Sequence, residues 1–292
     1  MEKDSKKGMN RHVQAVIFVL LEALGFSLMS FFVKLAGDLP AMEKAFFRNI
    51  VALCIAAVLM ARSKADLHIP KKAAFPLFMR CLMGFLGITF NFWAIGRLQL
   101  ADANILNKMA PFFAILMSVF ILKEIPSVSD LLCVIAAFIG AVFVVHPTAG
   151  IASLPAFAGL FSGFSAGTAY TYLRKTRQLG VNGPEIVFCF SLFSTIGCLP
   201  FILLHHAPLS TAQFLSLLGA GGGAALGQIA VTQAYTLAPA KEISVFDYSQ
   251  VIFAAILGFL FFGEIPDVLS WIGYAVIITA AVVHWNIERR RS

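Results

Sequence analysis

The sequence predicts an all-α membrane protein of ten transmembrane helices, arranged as an inverted repeat of five plus five with both termini in the cytoplasm. Three observations predict it: apolar residues dominate the whole chain, lysine and arginine collect on one side of the spans, and short motifs of the first half recur in the second at a nearly constant offset.

Hydrophobic types make up 59% of the 292 residues and charged types only 13%. A soluble domain carries roughly 25% charge, so lipid is the solvent this composition fits. The net charge of +7 is not pooled in one patch but split into short clusters between apolar runs, which argues against nucleic acid as a partner. Five cysteines (Cys54, Cys81, Cys133, Cys189, Cys198) all lie inside apolar runs with no C-x-x-C pair. They read as small buried hydrophobes, not as a disulfide framework or zinc site.

A spanning helix needs ~20 predominantly apolar residues. Ten stretches qualify: 13–36, 42–61, 74–96, 99–122, 128–146, 152–173, 184–204, 212–235, 241–262 and 267–287. The charged stretch 1–12 precedes the first, whose apolar run is too long for a signal peptide and is closed by no small-residue cleavage pattern, so it is expected to be a retained span. Turn residues separate most of the others, among them Gly37-Asp38-Leu39-Pro40, Pro126-Ser127, Pro147 and Gly180 to Pro184. The expected organisation is a cytoplasmic tail (1–12), a first repeat (13–147), a second repeat (148–287) and a basic tail (288–292).

Orientation follows from the positive charges. With the N-terminus inside, one side collects Lys3, Lys6, Lys7, Arg11, Arg62, Lys64, Lys71, Lys72, Lys123, Arg174, Lys175, Arg177, Lys241 and Arg289 to Arg291. Arg97 stands on the other, with Lys34 and Lys44 near helix ends. The cluster at Arg289 stays inside only if the helix count is even. Trp271 and Trp285 fall near opposite ends of the last span, where amphipathic rings favour the interface.

Lys123-Glu124-Ile125-Pro126 matches Gly263-Glu264-Ile265-Pro266 at a shift of 140 (264 − 124), and Leu86-Gly87 matches Leu226-Gly227 at the same shift. Gly25-Phe26-Ser27 matches Gly163-Phe164-Ser165 at 138 (163 − 25). An odd number of spans per unit makes the second copy enter the membrane from the opposite side, an arrangement found in secondary transporters.

Glu43-x-x-Phe46-Phe47-Arg48 early in the second span, Pro111-x-x-Ala114 in the fourth, and the Glu-Ile-Pro closings of the fourth and ninth resemble the drug/metabolite transporter superfamily, in particular its EamA-type ten-helix members. Lys34, the run Ala45 to Arg48, and Tyr248 followed by Phe262-Gly263-Glu264-x-Pro266-Asp267 are similar to the branch that includes bacterial S-adenosylmethionine uptake carriers. The resemblance implies a multi-pass transporter of the cell membrane, in a bacterium the inner membrane. It carries an amino acid, a derivative such as S-adenosylmethionine, or another small polar or zwitterionic metabolite.

Ionisable groups at mid-bilayer cost at least ~2.5–3.5 kcal/mol, so each needs a partner, a water-filled cavity or a function. The spacings of 3, 4 and 7 put Asn104, Asn107, Lys108 and Pro111 on one face of the fourth span. The shift of 140 takes them to Ser244, Asp247, Tyr248 and Val251. Lys108 and Asp247 are therefore expected to pair, either lining a central substrate cavity or simply locking the repeats together. Glu22 is placed either to carry protons, a coupling role shared with Asp247, or to bond a neighbouring helix. Asn91, Trp93, Tyr170 and Gln228 are further candidates for substrate contact, with interhelical bonding the plainer role. Arg48 is expected at the interface, near the end of its span. The glycine stripes 159/163/167 and 219/223/227 are expected to be packing faces.

Gly163-Phe164-Ser165-Ala166-Gly167 fits the nucleophile elbow, but that motif needs a strand-turn-helix setting and here lies inside an apolar helix. His205-His206 point apart on a helix and have no third ligand nearby. No P-loop occurs, so gradient coupling or exchange would drive transport. An enzyme is not expected, nor a cofactor or a bound metal. The expected partners are a small-molecule substrate and membrane lipid, the chain being a monomer or weak homodimer. A flippase for lipids or lipid-linked sugars is the competing function, and an intramembrane enzyme a remoter one.

Overall fold

The computed structural model describes the backbone of residues 2–63, 69–145, 154–204, 208–237 and 243–291. Lys64, Pro147, His205, His206 and Lys241 lie outside the described residues, as do the side chains of residues 2–10 and of Arg62, Ser244 and Arg291. The helices are α1 (Glu2–Leu35), α2 (Ala41–Ser63), α3 (Ala74–Ile95), α4 (Leu100–Asn107), α5 (Ala110–Ile121), α6 (Val128–Val145), α7 (Leu154–Gln178), α8 (Gly183–Leu204), α9 (Thr211–Leu237), α10 (Ser249–Phe262) and α11 (Val268–Arg291). A 3-10 turn, Lys71–Ala73, leads into α3, and a 3-10 segment, Ser244–Tyr248, leads into α10.

Among the described residues, eight segments are long and apolar enough to cross a membrane: Arg11–Leu35, Lys71–Ile95, Leu100–Ile121, Val128–Val145, Gly183–Leu204, Thr211–Val231, Val245–Phe262 and Val268–Ile287. The outward faces of these spans are apolar too. Ile17, Phe120, Leu132, Ile139, Leu203, Phe259 and Leu260 are all exposed, as they must be where lipid replaces water. The protein is thus an all-helical, multi-pass membrane protein. Helices α2 and α7 are 23 and 25 residues long but more polar, carrying Glu43, Lys44 and Arg48 in one and a run of Ser, Thr and Gly in the other.

Helix ends follow local chemistry. Ser127 and Asp130 form a reciprocal capping box before α6, Asp130 Oδ2 accepting from the Ser127 N–H at 2.8 Å and Ser127 Oγ from the Asp130 N–H at 3.3 Å. Ser210 and Gln213 do the same before α9. Helix α10 closes on Gly263 in the left-handed region (φ 65°), with Glu264 N–H reaching back to Gly258 O at 3.1 Å. Lys123, the equivalent of Gly263 at the shift of 140, takes the same conformation (φ 59°), and Glu124 N–H returns to Ser118 O at 3.3 Å.

The fourth and ninth spans are not continuous helices, which corrects the sequence reading. Pro111 lacks an N–H and its ring would clash with the carbonyl of Asn107, so α4 stops there and α5 begins at Ala110. The ninth span enters through the 3-10 segment Ser244–Tyr248 instead. It contains no proline, and no local residue accounts for its tighter turn.

Packing is symmetric under exchange of the halves. With α1 matched to α7, α2 to α8, α3 to α9 and α6 to α11, the extensive α1–α9 and α3–α7 contacts interchange, while α2–α8 and α6–α11 map onto themselves. Gly25 and Gly227, each in a matched motif, meet at the first of these crossings. A Cβ on Gly25 would lie 2.5 Å from the backbone nitrogen of Gly227, so only glycine permits the α1–α9 approach. Gly163 plays that part between α7 and the broken fourth span, where a Cβ would meet the Leu106 carbonyl at 2.6 Å.

Candidate functional site

The break at residues 108–109 sets Lys108 against the second half of the chain. Lys108 Nζ lies 2.5 Å from Asp247 Oδ2, so the two halves meet in an ion pair whose side chains are only 12% and 24% exposed. The Tyr248 hydroxyl donates to the Lys108 carbonyl at 3.1 Å. That carbonyl belongs to the C-cap of α4, where helical partners run out, so the hydroxyl supplies a needed donor. Glu22 of α1 is buried beside Asp247 and Lys108. One oxygen of each carboxylate, Glu22 Oε2 and Asp247 Oδ1, is buried without a hydrogen-bond partner.

Tyr170 of α7 is 54% exposed, yet it lies within electrostatic reach of Lys108, Arg80, Asp247 and Glu22. Asn91 of α3 is buried, and its Oδ1 has no partner.

The other expected site residues separate from this group. Asn104 is saturated: its Nδ2 donates to Leu100 O at 2.7 Å, and its Oδ1 accepts from Gln250 Nε2 at 2.6 Å and Ser30 Oγ at 3.1 Å. It ties α1, α4 and α10 together. Asn107 donates to Ser162 Oγ of α7 at 3.0 Å. The expected single polar face is therefore divided among three neighbours, because the chain turns at residue 108. Trp93 lies at the end of α3 under the guanidinium of Arg97, 4.2 Å from its ring centroid. Gln228 of α9 is exposed. The backbone of Ser244 lies in the 3-10 segment beside Asp247. Arg48, expected at the interface, is instead buried, since α2 turns it inward against Asn49 and towards Arg80.

Sequence reasoning passed over two further ion pairs. Lys34 of α1 pairs with Glu264 after α10, and Arg174 of α7 pairs with Glu124 after α5 at 2.7 Å. Lys34 and Arg174 are 140 residues apart (174 − 34), as are Glu124 and Glu264. Each pair thus joins one half to the other, and each is the counterpart of its twin. The surroundings differ. The Lys34 pair is 15% exposed on both side chains, with Glu264 also accepting the Leu100 N–H at 2.7 Å and with the Lys34 ammonium 5.3 Å from the centroid of the Phe262 ring. The Arg174 pair is 58% and 41% exposed. The Glu-Ile-Pro repeat was the signal that could have found both.

Two related halves, apolar spans and a charged cluster where the halves meet define a multi-pass membrane transporter. The EamA-like transporter family model matches twice, over residues 13–146 and 153–285, and the chain belongs to that family. It is 34% identical over 275 residues to the pseudopaline exporter CntI of Pseudomonas aeruginosa, covering 91% of this chain and 94% of the relative. A riboflavin transporter of Vibrio cholerae is 23% identical over 289 residues, covering 96% of each chain. Human solute carrier family 35 member G1 is 25% identical over 319 residues, covering 99% of this chain and 83% of the relative. One solved protein crystal structure shares the fold at a TM-score of 0.65 and 15% identity, covering 95% of this chain and 98% of that one.

Proposed function

We propose that the chain is a secondary transporter with ten spans in an inverted five-plus-five repeat, moving a small polar or zwitterionic metabolite by alternating access between two ends closed by the Lys34–Glu264 and Arg174–Glu124 pairs. The observation that carries this reading is the twin relationship of those pairs. In an inverted repeat, equivalent positions lie on opposite sides of the membrane. By the distribution of lysine and arginine, the Lys34 end is external and the Arg174 end cytoplasmic.

The difference in exposure sets which end opens first. A solvated pair contributes about 0–1 kcal/mol, whereas breaking a desolvated pair leaves uncompensated charge in low dielectric. The Arg174 end is therefore the weaker closure in this conformation, and Tyr170 on the same helix is exposed. Between the ends, Lys108, Asp247, Glu22, Tyr170, Tyr248 and Asn91 form the substrate site, with Glu22 and Asp247 coupling transport to a cation gradient. Asn104 and Asn107 shape the site from behind. Relatives named for pseudopaline and riboflavin support a metabolite as cargo without fixing which one.

Purified protein in liposomes tests the reading through uptake and counterflow of amino acids, nucleosides and S-adenosylmethionine. At least one zwitterionic compound should exchange and should lose exchange in Lys108→Ala. Absence of counterflow across the whole panel would sink the substrate class. A fluorescent reporter fused after Ser292 should light up in the cytoplasm. A C-terminus outside would overturn the inverted arrangement.

A further inference from the structure

Three buried donors gathered between α2 and α3 have no acceptor. Arg48 is 9% exposed, and its Nη1 donates to Asn49 Oδ1 at 3.0 Å. Its Nε and the Nδ2 of the fully buried Asn49 have no hydrogen-bond partner. The Nε of Arg80 is buried and unpartnered in the same way. The Arg80 guanidinium lies 4.5 Å from the ring centroid of Phe190 on α8, its Nη1 folded over Gly84. The two guanidinium groups lie within electrostatic reach of each other, and among the described residues no carboxylate forms an ion pair with either.

Guanidinium does not give up its proton in a protein, so two of them cannot relieve their burial by becoming neutral. Like charges held together inside a membrane protein, with spare donors and no acid beside them, need an anion. The planar fork of arginine matches the two oxygens of a carboxylate. Tyr170 borders both groups, because it lies within electrostatic reach of Arg48 and Arg80 and also of Lys108, Asp247 and Glu22.

We propose that Arg48, Arg80 and Asn49 form an anion subsite that holds a carboxylate of the transported solute, while the solute's cationic end faces Glu22 and Asp247 across Tyr170. The proposal rests on the transporter reading and narrows its substrate class to compounds carrying at least one carboxylate. It also fixes their orientation: anionic end between α2 and α3, amine towards α1 and the Ser244–Tyr248 segment.

The test reads binding, so its failure is distinct from failure of the liposome assay. Citrate is the probe, with chloride at equal ionic strength as the reference and inorganic phosphate as a second oxyanion. Citrate should raise the unfolding temperature of the purified full chain. Its apparent affinity should fall about tenfold or more in Arg48→Gln and Arg80→Gln, the loss of a hydrogen bond to a charged group. Arg97→Gln, at the far end of α3, should leave it unchanged. Equal citrate stabilisation in all four proteins would overturn the proposal. If the arginine variants fail to fold, phenylglyoxal labelling of the wild-type chain decides: citrate should protect Arg48 and Arg80 but not Arg97. Labelling that citrate does not reduce, or no labelling at either arginine, overturns the subsite. Protection by phosphatidylglycerol vesicles and not by citrate or phosphate overturns it as well, since the arginines would then hold a lipid headgroup.

Discussion

Tyr248 donates its hydroxyl to the backbone carbonyl of Lys108, the residue exactly one repeat shift before it (248 − 108 = 140). Residues equivalent under the repeat shift thus touch each other at the broken fourth span, and the Lys108–Asp247 pair lies beside that contact. The charges there are asymmetric, since the counterpart of Lys108 is a tyrosine and not a second lysine.

Removing one partner of a buried pair leaves the other without compensation, a loss of about 3–5 kcal/mol, whereas removing both is far milder. Lys108→Ala and Asp247→Ala should each lower the unfolding temperature more than the double mutant does. Thermal unfolding of detergent-purified protein checks this. A double mutant as unstable as the sum of the singles would mean that the charges do not stabilise each other.

The two end pairs should respond unequally. Glu264→Gln leaves Lys34 desolvated and unpaired, so a loss of about 3 kcal/mol is expected. Glu124→Gln breaks a solvated pair and should cost at most ~1 kcal/mol. Chemical denaturation together with counterflow rates distinguishes them. Equal effects would contradict the assignment of a strong and a weak closure.

The α1–α9 crossing predicts a sharp positional contrast within glycines. Gly25→Ala forces a methyl to within 2.5 Å of the Gly227 backbone and should destabilise by about 1–3 kcal/mol or more. Gly222→Ala, with nothing within 4 Å, should be neutral or slightly stabilising, because alanine favours helix. Unfolding temperatures of the two variants against wild type make the comparison.

Glu22 provides a coupling test. If its carboxyl carries the driving proton, Glu22→Gln should abolish accumulation against a gradient while exchange continues, and it should flatten the pH dependence of uptake. Lys108 and Asp247, which face it, remain in that variant. Unchanged accumulation at every pH would remove Glu22 from the mechanism.

The apolar spans, their rough limits and the duplication were legible in the sequence because they depend on local quantities: the length of an apolar run, the position of turn residues and the spacing of short motifs. Lys108 and Asp247 were legible as a pair for a related reason, since repeat symmetry maps one polar stretch onto another. The break in the fourth span was foreshadowed by Pro111, but the matching irregularity of the ninth was not, having no proline to mark it. Tertiary structure alone decided where each polar side chain points. The turn at Lys108 sends Asn104 to Ser30 and Gln250, Asn107 to Ser162 and Lys108 to Asp247, three directions from what a continuous helix would make one face. It also decided that Arg48 turns inward and that Lys34 meets Glu264 across 230 residues (264 − 34). Interactions between groups so far apart in the chain depend on how whole helices cross, and those crossings are set by side-chain and backbone contacts that no local window of sequence contains.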